Sequence, residues 1–306
     1  MKIGMNSPKP ILQLMDDFLA NQDIRENSRK KYRDNLHVFI GWLTRNANMA
    51  DLKKEAIIRY KNWLIASGRS PSTVDNYLAP VRQFFKYLAD CDIHKNIAVD
   101  VHSPKKGQGF SKEYLKPEQV VRLLSSINRT THFGQRDYAI INLMVRTGMR
   151  CIEVSRANVR DLRLEDERWM FYIQGKGRWS KDRALGVTQK IVNPIAEYIG
   201  EHLSQEDSPM FLNHSCVSNN TRISTLTISK RVKKYLRSIG IDTVKVSAHS
   251  LRHTAAITAL KSGADLLAVK SMLGHSKVET TMIYQRAIEE ERGRDGTAIR
   301  LMDDAY

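Results

Sequence analysis

The stretch His249–Tyr284, HSLRHTAAITALKSGADLLAVKSMLGHSKVETTMIY, concentrates reactive side chains: His249, Arg252, His275 and Tyr284. On a helix, the i,i+3 spacing of His249 and Arg252 puts both on one face, within reach of a single phosphate. Tyr284 is a weak nucleophile unaided, because a phenol titrates near pH 10. A phosphate within reach of these groups would present anionic non-bridging oxygens. Guanidinium forks bind such oxygens in planar, charge-assisted pairs that a lysine does not reproduce. Arg252 is one such group. Further towards the N-terminus, Arg150 in RTGMRCIE supplies a second, with Glu153 one turn along the same helix. Lys176, between Gly175 and Gly177 in QGKGRWSKDR, sits on a predicted hairpin turn, with Lys181 and Arg183 just beyond it. His253, next to Arg252, is expected to point elsewhere on the helix, as a structural residue or one that supports the reactive groups from behind.

The surrounding composition narrows the partner. The chain has 306 residues, with 49 Lys+Arg against 33 Asp+Glu and a formal net charge of +16. That length suits two domains, each large enough for its own core. Hydrophobic residues at 42% exclude a wholly disordered chain. Both the first 110 residues and the remainder carry a positive excess, so a polyanion facing both halves is expected, although general basicity also serves solubility. Three scattered cysteines, Cys91, Cys151 and Cys216, offer neither a disulfide framework nor a zinc site. The opening MKIGMNSPKP lacks the apolar core of a secretory signal, and no apolar run is long enough to span a bilayer. A reduced, cytoplasmic setting without membrane attachment follows as the expectation. No Asp/Glu cluster suggests a metal, and GKGRW lacks the spacing of a Walker phosphate loop, so no cofactor is expected.

The first hundred residues read as four short helices. Ser7 with Pro8 opens the first, Ser28 is read as the cap of the second, Asp51 of the third and Ser72 of the fourth. Apolar residues recur at helical spacing, as in Leu36, Phe39, Ile40 and Leu43, or Val81, Phe84, Phe85 and Leu88. The aromatics on these stripes suit a core better than base stacking. Lys30, Lys31, Arg69, Arg82 and Lys86 are candidate phosphate contacts. Residues 101–112, with Pro104, Lys105, Lys106, Gly107 and Gly109, read as an extended linker. Helices are then expected from Glu118 and Arg136, strands at Trp169–Ile173 and Arg183–Val187, and a basic helix carrying Lys230, Arg231, Lys233 and Lys234. The fold class is therefore mainly α with two domains, a helical bundle over 1–100 and an α+β domain with a small antiparallel sheet over 113–290, followed by a tail over 291–306.

Arg150, Lys176, His249, Arg252, His275 and Tyr284, in the settings TGMRCIE, GKG, HSLRHTAA, LGHS and TTMIY, resemble the signature of the tyrosine recombinase family, the phage-integrase and Xer-like enzymes. The resemblance covers the second domain throughout and the first less specifically. It implies a SAM-like core-binding first domain, a catalytic second domain and site-specific recombination of double-stranded DNA, through a 3′-phosphotyrosyl intermediate and a Holliday junction. It also implies roles: Tyr284 as nucleophile, Arg150 and Arg252 on the phosphate, His249 as general acid/base, Lys176 as acid ahead of Lys181 and Arg183, His275 as phosphate support, and Glu153 orienting Arg150. A homotetramer on two paired DNA sites is implied, with the tail either exchanged between protomers or folded back on its own chain, and a location on the nucleoid. A second recombinase or a DNA-bending protein would be further partners. Integration, inversion and dimer resolution all fit the resemblance. Type IB topoisomerase-like relaxation and a non-catalytic architectural role are the alternative readings.

Overall fold

Ile11, Leu14, Met15, Phe18 and Leu19 fall on one helical face, and their burial fixes α1 (Pro8–Ala20). The structure, a computed structural model, describes residues 8–47, 52–105, 113–200, 206–214, 221–294 and 296–304. α2 (Glu26–Asn46), α3 (Lys54–Ala66) and α4 (Pro71–Asp90) close around the same core. Phe39 meets Tyr60 edge-on at 4.9 Å and Phe18 meets Phe84 at 5.6 Å, so the aromatics are packing groups, as the stripes predict. Each such buried ring contributes roughly 1.5–3 kcal/mol.

Two of the expected caps are displaced. α2 starts at Glu26 after Arg25, leaving Ser28 inside its first turn. α4 is capped by Ser70, whose hydroxyl accepts the Thr73 N–H at 3.2 Å while Pro71 takes the first helical position; Ser72 is already helical. Ser7 and Asp51 lie outside the described residues.

The chain forms two compact units, residues 1–108 and 109–306. The expected linker does not begin free at residue 101. Val101 is buried in the first core, the Arg82 guanidinium donates to the Val101 carbonyl (2.8 Å) and to Ser103 Oγ (2.7 Å), and Ser103 in turn donates to Asp75.

In the second unit, α5 (Pro117–Ser125) and α6 (His132–Thr147) precede a short α7 (Cys151–Ser155). α6 is buried along most of its length and packs against α8 (Gln189–Ile199), α9 (Thr225–Ser238) and α10 (Ala248–Lys261). Its polar residues are compensated. Asp137 accepts from Arg136, Arg231 and the Tyr235 hydroxyl, tying α6 to α9 inside the core.

A three-stranded antiparallel sheet, in order β1 (Leu162–Glu165), β2 (Arg168–Ile173), β3 (Arg183–Val187), flanks the helices. Phe171 pairs with Leu162 on one side and Leu185 on the other, placing these three on one row against the core. A two-residue strand pair follows, β4 (Leu212–Asn213) with β5 (Thr221–Arg222). α11 (Leu266–Leu273), α12 (Glu279–Arg294) and α13 (Thr297–Asp303) complete the unit. Among the described residues, no helix is long and apolar enough to cross a membrane, and none of the His, Cys, Asp and Glu residues group as a metal site.

Candidate active site

Two helix ends and one hairpin converge on a polar cavity of about 610 Å³. It is lined by Arg150, Glu153, Lys176, Arg178, Arg183 and His275, among others. The backbone bends that build it depend on glycine. α6 stops at Gly148, whose φ of 67° is left-handed and whose absent Cβ would stand 2.4 Å from Leu273 Cδ2. α11 stops at Gly274, φ 65°, where a Cβ would meet the Arg183 guanidinium at 2.6 Å. These stops deliver Arg150 and His275, each one or two residues on, to the same cavity.

Glu153 organises the cations. It is 2% exposed; one carboxylate oxygen accepts from Arg150 Nη1 (2.8 Å) and the other from the Arg150 N–H (2.9 Å) and Arg183 Nη2 (3.3 Å). Arg183 also donates to the Met272 carbonyl at 2.8 Å, and burial lowers its pKa. Lys181 is ion-paired with the buried Asp161, directing it away from the cavity, whereas Lys176 is exposed on the hairpin wall.

Arg252 is buried, and its two terminal nitrogens donate to the carbonyls of Gly148 (2.7 Å) and Leu273 (2.8 Å), the C-terminal ends of α6 and α11. Burial, and next the charge of Arg150, bring its pKa down to about 10. Tyr284, on α12, is 2% exposed. Burial raises its phenol above the ordinary value of 10, while the charge and hydrogen bond of Arg252, and then the charge of Arg150, pull it back. His275 lines the cavity, stacks parallel to the Tyr284 ring at 6.3 Å, and shares a 2.9 Å hydrogen bond between Nδ1 and Thr281 Oγ1. Burial, then the charges of Arg252, Arg150 and Arg183, hold its pKa at about 4.

The two histidines of HSLRH divide differently from expectation. His249 is exposed on the first turn of α10, while Arg252 is directed inward. His253 does not point away from the site: its Nδ1 lies 3.1 Å from the Tyr284 hydroxyl, and its ring packs 4.6 Å from that of His249. The signal was present in the i,i+4 spacing of 249 and 253, which places both rings on one face. Thr281, the partner of His275, had no such signal.

The basic candidates outside the cavity fall into two groups. Lys30, Lys31, Lys86, Lys105, Lys230 and Lys234 are exposed, and Arg69 lies half-buried over the Tyr77 ring at 4.7 Å. Arg82, Arg231 and Lys233 are engaged internally, Arg231 with Asp137 and Lys233 with the Thr243 carbonyl at 2.7 Å and Asp242. For these three, part of the side chain's hydrogen bonding is met within the fold, and each remains partly exposed. Lys106 lies outside the described residues.

With this geometry in view, comparison with known proteins is informative. Residues 113–291 match the phage integrase family, and residues 11–95 match the N-terminal SAM-like domain of phage integrases. Tyrosine recombinase XerC of Thermodesulfovibrio yellowstonii is 32% identical over 229 residues, 72% of this chain and 73% of its own. Tyrosine recombinase XerD of Listeria innocua is 29% identical over 285 residues, 89% of this chain and 93% of its own. The solved structure of XerH site-specific recombinase bound to palindromic difH substrate, a post-cleavage complex, shares the fold with a TM-score of 0.75 at 20% identity, covering 97% of this chain and 85% of that one.

Proposed function

The chain belongs to the phage integrase family of tyrosine site-specific recombinases, and from that premise we propose how its own residues break and rejoin DNA. Arg150 and Arg252 bind the non-bridging oxygens of the scissile phosphate, and Glu153 fixes the Arg150 fork. The Tyr284 oxygen attacks phosphorus and forms the P–O bond of a 3′-phosphotyrosyl link. Its proton passes to an imidazole of the HSLRH pair, with His249 as the base the family implies. The bond from phosphorus to the 5′-oxygen breaks, and Lys176 gives that oxygen its proton, leaving a free 5′-hydroxyl. Attack by the 5′-hydroxyl of a partner strand reverses the sequence of steps, so the energy of the broken bond is conserved and no hydrolysis intervenes.

The observation that carries this reading is the pairing of a cation-lined cavity with a buried tyrosine that feels Arg150 of its lining and the buried Arg252 beside it. A low-dielectric site strengthens such electrostatic stabilisation of a developing phosphorane. His275, neutral at physiological pH, supports the phosphate as a hydrogen-bond partner and packs against the nucleophile.

The partner is double-stranded DNA, gripped by the SAM-like first domain and the catalytic second domain. Four copies act on two paired sites in the cytoplasm, at the nucleoid. Supporting assembly, α13 exposes Ile299, Leu301 and Met302, an apolar group suited to docking on a neighbouring protomer. A second recombinase or a DNA-bending protein joins where the site demands it.

The test is covalent trapping on nicked duplex, in which the released strand is lost and the protein stays attached. Wild type is expected to accumulate the adduct and Tyr284→Phe to form none. Equal adduct from Tyr284→Phe, or none from wild type, would overturn the assignment. Relaxation of supercoils without exchange between two sites would instead favour the topoisomerase alternative.

A further inference from the structure

The last pair of the β2–β3 ladder is Ile173 with Arg183, and between them residues 174–182 run without strand pairing. Lys176 stands on this loop and lines the cavity, and no hydrogen bond or ion pair among the described residues holds its amine. Where that amine goes is therefore set by how the loop is held. On the leg leaving β2, Arg156 Nη1 donates to the Gly175 carbonyl at 3.3 Å. On the leg entering β3, the Lys181 ammonium is ion-paired with Asp161. Only 176–180 lie between these two points. Gln174 Nε2 braces that span by donating to the carbonyls of Arg178 (3.0 Å) and Trp179 (3.2 Å).

The hold at Lys181 is the firmer one. Asp161 closes the single helical turn Val159–Asp161 ahead of β1 and is 1% exposed. Its Oδ2 accepts from the Asn158 N–H at 2.7 Å as well as from Lys181, while its Oδ1 is buried with no hydrogen-bond partner among the described residues. The other cation that feels Asp161, Arg222, directs its donors to the carbonyls of Ser155 and Ala157 and to Asn158 Oδ1. Lys181 is thus the ion-pair partner of this carboxylate among the described residues. Removing the partner of a buried carboxylate leaves the charge uncompensated, which costs far more than losing an exposed pair. The exposed Arg178–Asp182 pair of the same loop, at 3.5 Å, adds little by comparison.

We propose that Lys181, held by Asp161, is a positioning residue for strand cleavage: the pair pins the loop so that Lys176 meets the 5′-oxygen as its bond to phosphorus breaks. That oxygen keeps the bonding electron pair and takes a proton from the Lys176 ammonium, leaving a 5′-hydroxyl and a neutral amine. The proposal rests on reading Lys176 as this acid, and the experiment separates the two.

DNA recovered as the covalent wild-type adduct is rebuilt with the bridging 5′-oxygen of the cleaved phosphate either kept or replaced by sulfur. A thiol titrates at about pH 8.5, so a thiolate leaves without the proton that an alkoxide requires. At saturating DNA, Lys181→Met is expected to form adduct about tenfold or more slowly than wild type on the oxygen substrate, part of the roughly 10²–10⁴-fold that a placed general acid contributes. On the sulfur substrate it matches wild type. Asp161→Asn, which frees Lys181, shows the same split, and Lys181→Arg recovers the oxygen rate. The double variant of Lys181→Met with Asp161→Asn leaves no buried charge unpaired and is no slower than either single change, because the pair acts as one unit. Should a single variant melt early, the double variant carries the same comparison.

Equal slowing on both substrates, or none on either, overturns the proposal. So does loss of the oxygen rate in Lys181→Arg with Asp161→Asn unaffected, which would make Lys181 itself the acid. Rescue by sulfur of Lys176→Met but not of Lys181→Met removes the anchor and leaves the acid standing. If Lys176→Met stays as slow with sulfur as with oxygen, Lys176 is not the acid, and this inference falls with that role.

Discussion

The imidazole of His275 sits half-buried with the charges of Arg252, Arg150 and Arg183 around it, and its pKa of about 4 compares with an ordinary 6.5. The unfolded chain therefore binds a proton below about pH 6.5 that the native chain refuses until about pH 4. Stability then falls as pH drops through that window and is unaffected above it. His214, whose pKa is also held at about 4 by burial and by His132 and Arg136, contributes in the same direction. Urea denaturation of His275→Gln across pH 7 to 4 is expected to show a shallower loss of stability than wild type; an identical slope would mean the ring is already charged in the native state. Individual residues were legible to differing degrees. Glu153 and Arg150 are three apart in a local pattern, so their pairing could be read directly from the sequence. The inward turn of Arg252 could not, because it depends on carbonyls at Gly148 and Leu273 that only tertiary packing brings together. The direction of His253 follows from its helical partner at 249 and not from its neighbour at 252.

At the scale of elements, β1 shows why one strand escaped the reading. It joins β2 through Asp166 and Glu167, both left-handed at φ 45° and 61°, the geometry usually announced by Asn-Gly. Asp-Glu carries no such signal, and LRLE is too short to declare itself by alternation. The same fact gives a prediction: Asp166→Asn with Glu167→Gly is expected to stabilise the second unit by about 1 kcal/mol, the order of the left-handed penalty for a single L-residue. Thermal unfolding reads this as a raised Tm, and no gain would mean the strain is relieved elsewhere. The strands β2, rich in aromatics at Trp169, Phe171 and Tyr172, and β3, beyond the Gly-containing turn, lie within a residue of the expected bounds. α2 began earlier than expected because Glu26, Asn27 and Ser28 offer several polar starts in a row, and capping chemistry alone does not choose among them. α12 runs on past the proposed tail boundary at 291, and Glu291 accepts from Tyr114 (2.7 Å) and Lys261 (2.6 Å), so the helix bearing Tyr284 is tied at its far end as well.

For the whole molecule, net charge gave the partner class and the structure divides the charge by use. Arg82, Arg231, Lys233, Lys181 and Arg183 are engaged by acceptors inside the fold, whereas Lys30, Lys31 and Lys230 stand exposed. Lys31→Ala or Lys230→Ala, wherever the side chain meets a phosphate, is expected to reduce the slope of log K against log salt by about 0.9. Arg82→Ala is expected to leave the slope alone and to lower the stability of the first unit, since it strips donors from Val101 and Ser103. Filter binding over a salt series together with urea unfolding separates the two classes; a changed slope for Arg82→Ala would return it to the DNA-facing group. Arg252 belongs to neither class. Its solvation has been replaced by the carbonyl ends of two helices instead of by a carboxylate, so its positive charge is stabilised without being neutralised. Mobile ions screen a surface lysine within a Debye length but screen a buried guanidinium much less. Ionic strength thus acts chiefly on how often DNA arrives, while the potential that meets the phosphate after arrival is set largely by the fold.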